Sequence, residues 1–330
     1  MMSWLIVSSL AAAAYVYWIY PIRWARAVET LWSKGVALRC NTRWSEDYWR
    51  RATEERAEPH FFEQAMDGCE GLVYVRLGTS NDRPLDVETF SRSLDRLTKP
   101  IVLLTTDGDS SVPGDVSEEA VTAILEHPLV LAWYTQNWDG TAHPKLKPFP
   151  IGLDLHSRRI NFLPKGYPVE LCLRAIARTA RPLLQRRRAI FCDFHHTARE
   201  VHNGERYRFR EILQDCPHVD FLHQRVPQLE LWRRYAGYVF VASTHGNGLD
   251  CHRTWEALLL GCIVVTKRSS LDPLYRGLPV VIVEDWAECK DPANLERWLQ
   301  EHQPRSRDMW SKLRAERWVK DLRARLISKP

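Results

Sequence analysis

The sequence predicts an α/β protein of two Rossmann-like, doubly wound domains behind an N-terminal transmembrane helix, and three observations carry that expectation. Short apolar runs alternate with amphipathic helical stretches in two successive series. The 330 residues exceed one comfortable core and fit two domains of ordinary size. Residues 4–20 carry no charge and are just long enough to cross a bilayer.

Pro21 and Arg23 close the uncharged stretch, and Tyr15, Tyr17, Trp18 and Tyr20 sit where an interfacial aromatic belt lies, so residues 1–22 read as a membrane anchor. A cleaved signal peptide fits less well, because the apolar run continues past Ala11 to Ala14 and no basic region precedes it. Arg23, Arg26, Lys34 and Arg39 all follow the segment, which by the positive-inside rule places the body in the cytosol. An enzyme of the Golgi or endoplasmic reticulum would face the other way, so sidedness stays open. Residues 23–68 read as a charged stem with interspersed Trp24, Trp32, Trp44 and Trp49.

The first alternating series fills residues 69–165, with apolar runs at 72–77, 101–106 and 129–134 and helical patterns at 86–97 and 117–126. The turn-rich stretch 148–154 reads as the end or crossing point of that domain. The second series fills 166–305. Its strands are expected at 189–194, 219–222, 238–242, 263–266 and 280–283, and its helices at 169–185, 205–214, 227–235, 253–260 and 292–301. Uniform apolar runs between helices predict parallel sheets covered on both faces. Two such domains in tandem leave a ligand crevice at the carboxyl ends of their strands. A last helix at 306–327, with Trp310, Leu313, Trp318, Leu322 and Leu326, suits packing across the pair.

The composition, 45% hydrophobic and 26% charged, is that of a folded globular body. A net charge of +5 spread along the chain gives no nucleic-acid signature. The eight cysteines form no Cys-x-x-Cys pair and no zinc-like spacing with histidine, so a metal site is not expected. Their scatter leaves disulfides open.

The functional centre is expected after the strand 238–242, where the chain reads STHGNGLDCHRTWE from Ser243 to Glu256. Gly246 and Gly248 flank Asn247 in a turn whose backbone can approach a ligand, and the following helix N-terminus offers free amides to a phosphate. Asp250 is placed to cap that helix. Arg253 and Glu256, three apart, are neighbours on the helix, suited to a diphosphate and to sugar hydroxyls respectively, or to a plain surface ion pair. His245 and His252 flank the turn. His195, beside His196 and Asp193 at another strand end, lies on the same rim.

The continuation ALLLGCIVVTKRSSLD, and LPVVIVEDW after it, make residues 243–286 similar to the donor-binding region of exostosin-like and related GT-B glycosyltransferases. That resemblance implies a GT-B fold and transfer of a sugar from a nucleotide sugar, UDP- or GDP-linked, without a metal or other cofactor. It implies that Glu256 contacts the ribose, Arg253 the diphosphate, and Lys267, Ser269 or Ser270 the phosphates or sugar. In the first domain the match is looser. There Asp107 and Asp109, after the strand 101–106, read either as a turn or as acceptor-side residues with one of them a general base. Gln136, Asn137 and Trp138 are the expected acceptor contacts, the acceptor being a glycan, glycoprotein or glycolipid. A non-catalytic membrane module that binds a nucleotide or sugar phosphate is the alternative. A dinucleotide oxidoreductase is disfavoured, because the turn lacks the third glycine of Gly-x-Gly-x-x-Gly and comes late in its domain.

Overall fold

The computed structural model describes residues 20–51, 55–78, 84–157, 160, 163, 165–194 and 204–327. The expected transmembrane helix lies outside them except for residue 20, as does His195. No helix among the described residues is long and apolar enough to cross a membrane.

Short helices α1 (Tyr20–Ala27), α2 (Ser33–Ala37) and α3 (Glu46–Arg50) precede the first sheet. That sheet is built of β1 (Gly71–Gly78), β2 (Ile101–Gly108), β3 (Val130–Thr135) and β4 (Leu146–Pro148), in the order β1-β2-β3-β4 and parallel throughout. Helices α4 (Asp86–Ser91) and α5 (Glu118–Glu126) connect its strands. Ser117 caps α5 by accepting from the Ala120 amide, and two glutamates fill the first turn. β2 is buried along its whole length, which is why its first half reads as an apolar run, Ile101 to Leu104, before Thr105, Thr106 and Asp107 carry polar groups to the strand end. β4 was not expected: Leu-Lys-Pro has no apolar run, and its proline is tolerated because the strand lies at an edge.

Helix α6 (Tyr167–Thr179) leads into the second domain and stops short of its expected end, where Ala180 turns extended ahead of Pro182. The second sheet runs β6-β5-β7-β8-β9, all parallel, from β5 (Arg187–Cys192), β6 (Val219–Phe221), β7 (Tyr238–Ala242), β8 (Ile263–Lys267) and β9 (Val280–Val283). Helices α7 (Glu205–Leu213), α8 (Gln228–Tyr235), α9 (His252–Leu259) and α10 (Pro292–His302) alternate with the strands. α9 buries Trp255, Leu258 and Leu259 against the core.

The stem expectation is corrected. Trp32 and Trp49 are buried, with Val28, Leu31, Val36 and Tyr48 in the same core. The Leu31 amide donates to Leu313 O at 2.9 Å, and Leu31 O accepts from the Leu153 amide at 2.9 Å. Residues 28–51 therefore form part of the folded body. Burying one indole is worth roughly 4–6 kcal/mol as an upper bound. Tryptophans scattered among arginines at no fixed period conceal such a segment, because its partners are supplied by distant chain.

The final helix is also interrupted. It divides into α11 (Met309–Lys312) and α12 (Ala315–Ile327), because Arg314 forms an antiparallel bridge with Thr30 and the Ala315 amide donates to Glu29 O at 2.8 Å. α12 returns to the first domain and packs on β1, β2 and β3, while Trp318 meets Phe149 and Trp255 edge-on. One strap of chain from each end thus ties the domains together.

Candidate functional site

In the second sheet the strand order reverses between β5 and β7, so a crevice opens at their carboxyl ends. Asp193 lies one residue past β5, Thr244 two past β7, and α9 begins at His252. Arg253 Nε donates to Asp193 Oδ1 in a short, almost fully enclosed ion pair, and Asp193 Oδ2 accepts from the Tyr235 hydroxyl at 2.7 Å. The guanidinium carbon lies 5.7 Å from the Phe194 ring centre. Burial works against the Arg253 charge, but the Asp193 carboxylate together with Tyr235 and Cys251 outweighs it and holds the arginine's pKa above its ordinary value. The same burial, reinforced by Asp193, pushes the Tyr235 hydroxyl well up. Two donors here are buried without a hydrogen-bond partner among the described residues: Arg253 Nη1 and Thr244 Oγ1. A buried donor left unmade costs about 1–3 kcal/mol, more when charged, so such a pair marks a place that a ligand's oxygens can fill.

The glycine turn is placed differently from its expected role as a phosphate cradle. A Cβ on Gly248 would lie 2.6 Å from Asn137 Nδ2, and one on Gly246 would lie 2.7 Å from Arg206 Nη2. The close approach that glycine permits is used by Asn137 of the first domain and by Arg206. The Gly246 amide is bonded to Gly248 O at 3.0 Å, and Asn247 is exposed. His245 is held by Glu205, with Nδ1 2.6 Å from Oε2.

Asp250 is not the helix cap; Cys251 holds that position and no side chain caps it. Asp250 instead reaches across the crevice, accepting from the Ile151 amide at 2.8 Å and from Trp255 Nε1 at 2.9 Å. Burial pushes its carboxyl up to about 6, against the pull of those two donors. Arg253 and Glu256 do not pair with one another. Glu256 is buried, its Oε2 accepting from Trp232 Nε1 at 2.9 Å and Gln228 Nε2 at 3.4 Å, so that it ties α8 to α9. Lys267, at the end of β8, is half-buried and has no ion-pair partner among the described residues. Ser269 and Ser270 shape the next turn: Ser269 Oγ accepts from the Leu271 amide at 3.2 Å, and Ser270 Oγ donates to Trp138 O.

The first domain contributes a charged wall. Asp107 lies 3.4 Å from Lys34 Nζ, 3.8 Å from Arg76 Nε and 4.0 Å from His156 Nε2. It holds a left-handed φ of 67°, as Asn137 does at 54°, and such strain collects at functional sites. Asp109 is half-buried, its amide bonded to Gly78 O at 3.0 Å. Gln136 and Asn137, expected as acceptor contacts, are fully buried. Gln136 spans the Asp107 amide and Gly108 O, and Asn137 Oδ1 accepts from the Asp250 amide at 3.0 Å. Gln136 braces the end of β2 within the first domain, Asn137 fastens the two domains together, and only Trp138 of the three is half-exposed.

Thr244, Asp154 and His156 were given no role from sequence. Asp154 ends the turn-rich crossing segment and His156 follows it, and the fold sets them beside His252, whose Nδ1 donates to Gly152 O at 2.8 Å. The signal available was Asp-x-His at the end of the predicted crossing point. A separate cavity of about 750 Å³, lined by Asn41, Trp44, His60 and Phe61, contains none of the predicted residues.

No protein-family model matches the chain, and no curated protein does. Among solved structures it is similar to the alpha,alpha-trehalose 6-phosphate synthase of Burkholderia multivorans, at 14% identity over 82% of this chain and 74% of that one, TM-score 0.46. It is similar at 14% identity to a UDP-forming alpha,alpha-trehalose-phosphate synthase of Burkholderia xenovorans in complex with glucose-6-phosphate, over 82% and 76% of the two chains, TM-score 0.45. An alpha-glucosyltransferase in complex with UDP-glucose and DNA matches at 9% identity over 83% and 88%, TM-score 0.39. Likeness at this level carries no argument about activity, which rests on the chain's own residues.

Proposed function

We propose that this chain is a GT-B-type glycosyltransferase that moves a hexosyl or pentosyl unit from a UDP- or GDP-sugar to a hydroxyl of a glycan, glycoprotein or glycolipid. The observation that carries the reading is the pair of buried donors without a partner among the described residues, Arg253 Nη1 and Thr244 Oγ1, at the β5/β7 switch point. In the proposed reaction the acceptor oxygen bonds to the anomeric carbon and gives up its proton to a base. The bond from that carbon to the phosphate oxygen breaks, and its electron pair leaves with the nucleoside diphosphate. Negative charge grows on the leaving diphosphate, which is where an oriented guanidinium stabilises the transition state more than the ground state. Asp193 orients Arg253, and Lys267 supplies a second positive charge from the neighbouring strand end. Residues 4–20 would anchor the enzyme beside a membrane-bound acceptor, in the Golgi, the endoplasmic reticulum or with a cytosolic body.

The test is thermal stabilisation by UDP, GDP, CMP and NAD, followed by donor turnover with a panel of acceptors. Stabilisation by UDP or GDP with turnover is expected. A shift with NAD alone would sink the transferase reading, and tight nucleotide binding without turnover would favour the non-catalytic module.

A further inference from the structure

We infer that Asp154, His156 and His252 form a binding site for one zinc-class divalent ion, joining the crossing segment of the first domain to the start of α9. This departs from the sequence-based expectation of no metal, and it stands independently of the nucleotide-sugar reading. The ligand atoms of the three side chains all lie within 4.8 Å of one another. His156 Nδ1 is buried and has no hydrogen-bond partner among the described residues, yet it lies 3.4 Å from Asp154 Oδ1. A tetrahedral ion with bonds of about 2.0–2.1 Å to nitrogen and oxygen separates its ligands by about 3.3–3.4 Å. The two atoms are therefore spaced as neighbouring ligands of one ion.

The surroundings orient all three groups as metal sites require. The Gly152 carbonyl can only accept, so His252 carries its proton on Nδ1 and coordinates through Nε2. With His156 Nδ1 toward the ion, its Nε2 lies 4.0 Å from Asp107 Oδ1, too far for a hydrogen bond but near enough for that carboxylate's charge to favour this ring orientation. Asp154 Oδ1 is steadied by the Ser157 amide at 2.9 Å. Two imidazoles and a carboxylate favour zinc and its transition-metal neighbours over magnesium or calcium, which prefer all-oxygen shells. Both histidines are partly exposed, so a fourth position is open to water or to an anionic oxygen.

The experiment uses the full chain, stripped with a chelator and titrated with Zn2+ by calorimetry and with Co2+ by visible absorption, without nucleotide. One equivalent of Zn2+ is expected to bind, with the strong absorption of tetrahedral Co2+. Affinity should fall at least tenfold in H156A/H252A, a variant that leaves all eight cysteines in place. Zn2+ should also raise the melting temperature of the wild-type chain, a readout that needs no variant. No binding to the wild type, or equal binding and equal stabilisation in the double variant, overturns the proposal. Because no donor sugar is present, this outcome is separate from the fate of the transferase reading.

Discussion

Replacing Arg253 with methionine removes the guanidinium while keeping most of the side-chain volume. Asp193 then remains in its enclosed position with the Tyr235 hydroxyl as its donor. Removing one partner of a buried ion pair costs about 3–5 kcal/mol, and the retained hydrogen bond places the loss near 3. The double variant D193N/R253M removes both charges and keeps an acceptor for Tyr235, so it should recover most of that stability. Nucleotide affinity should not recover. A hydrogen bond from a charged donor is worth about 1.5–3 kcal/mol, which corresponds to a 10- to 150-fold weaker Kd in both variants. Urea unfolding measures the first quantity and calorimetric titration with UDP and GDP the second. If R253M binds nucleotide as tightly as the wild type, Arg253 is not part of the donor site and the switch-point argument fails. If the double variant is no more stable than the single one, the ion pair is not the structural unit described.

Asp250 makes stability depend on pH. Its carboxyl, raised to about 6 from an ordinary 3.8, holds its proton longer in the folded than in the unfolded chain. Its contribution is full below pH 4 and is lost as pH rises through 6, by an amount on the order of 3 kcal/mol. D250N copies the protonated form and should flatten the unfolding free energy between pH 4.5 and 8 relative to wild type; a difference that does not vary with pH contradicts this account. At Gly248 an added methyl meets the Asn137 carboxamide at 2.6–3.0 Å. G248A should therefore lower stability by about 1–3 kcal/mol, read as a drop in Tm, and a neutral result would mean that the turn does not press on Asn137.

Much of the fold was legible in the chain because burial writes itself locally. β1, β2 and β7 are rich in apolar residues since both their faces are covered, and the expected spans differ from the observed ones by at most two residues at either end. Arg253 stands out for a local reason too, since it sits at the start of a helix that follows a strand end. What the sequence could not reveal was partnership. Arg253 pairs with Asp193, sixty residues earlier, and not with Glu256, because neighbours on a helix surface compete with whatever the fold brings closer. The glycines announced a close approach, but only the packed domains show that Asn137 makes it. Trp32 and Trp49 became core residues once the two ends of the chain met at residues 29–31 and 313–315. The sequence by itself determined the alternation of strands and helices and the strand ends where chemistry can gather. Tertiary structure alone decided which charges neutralise one another and which donors stay unpaired, because such contacts depend on distance in space between residues far apart in the chain.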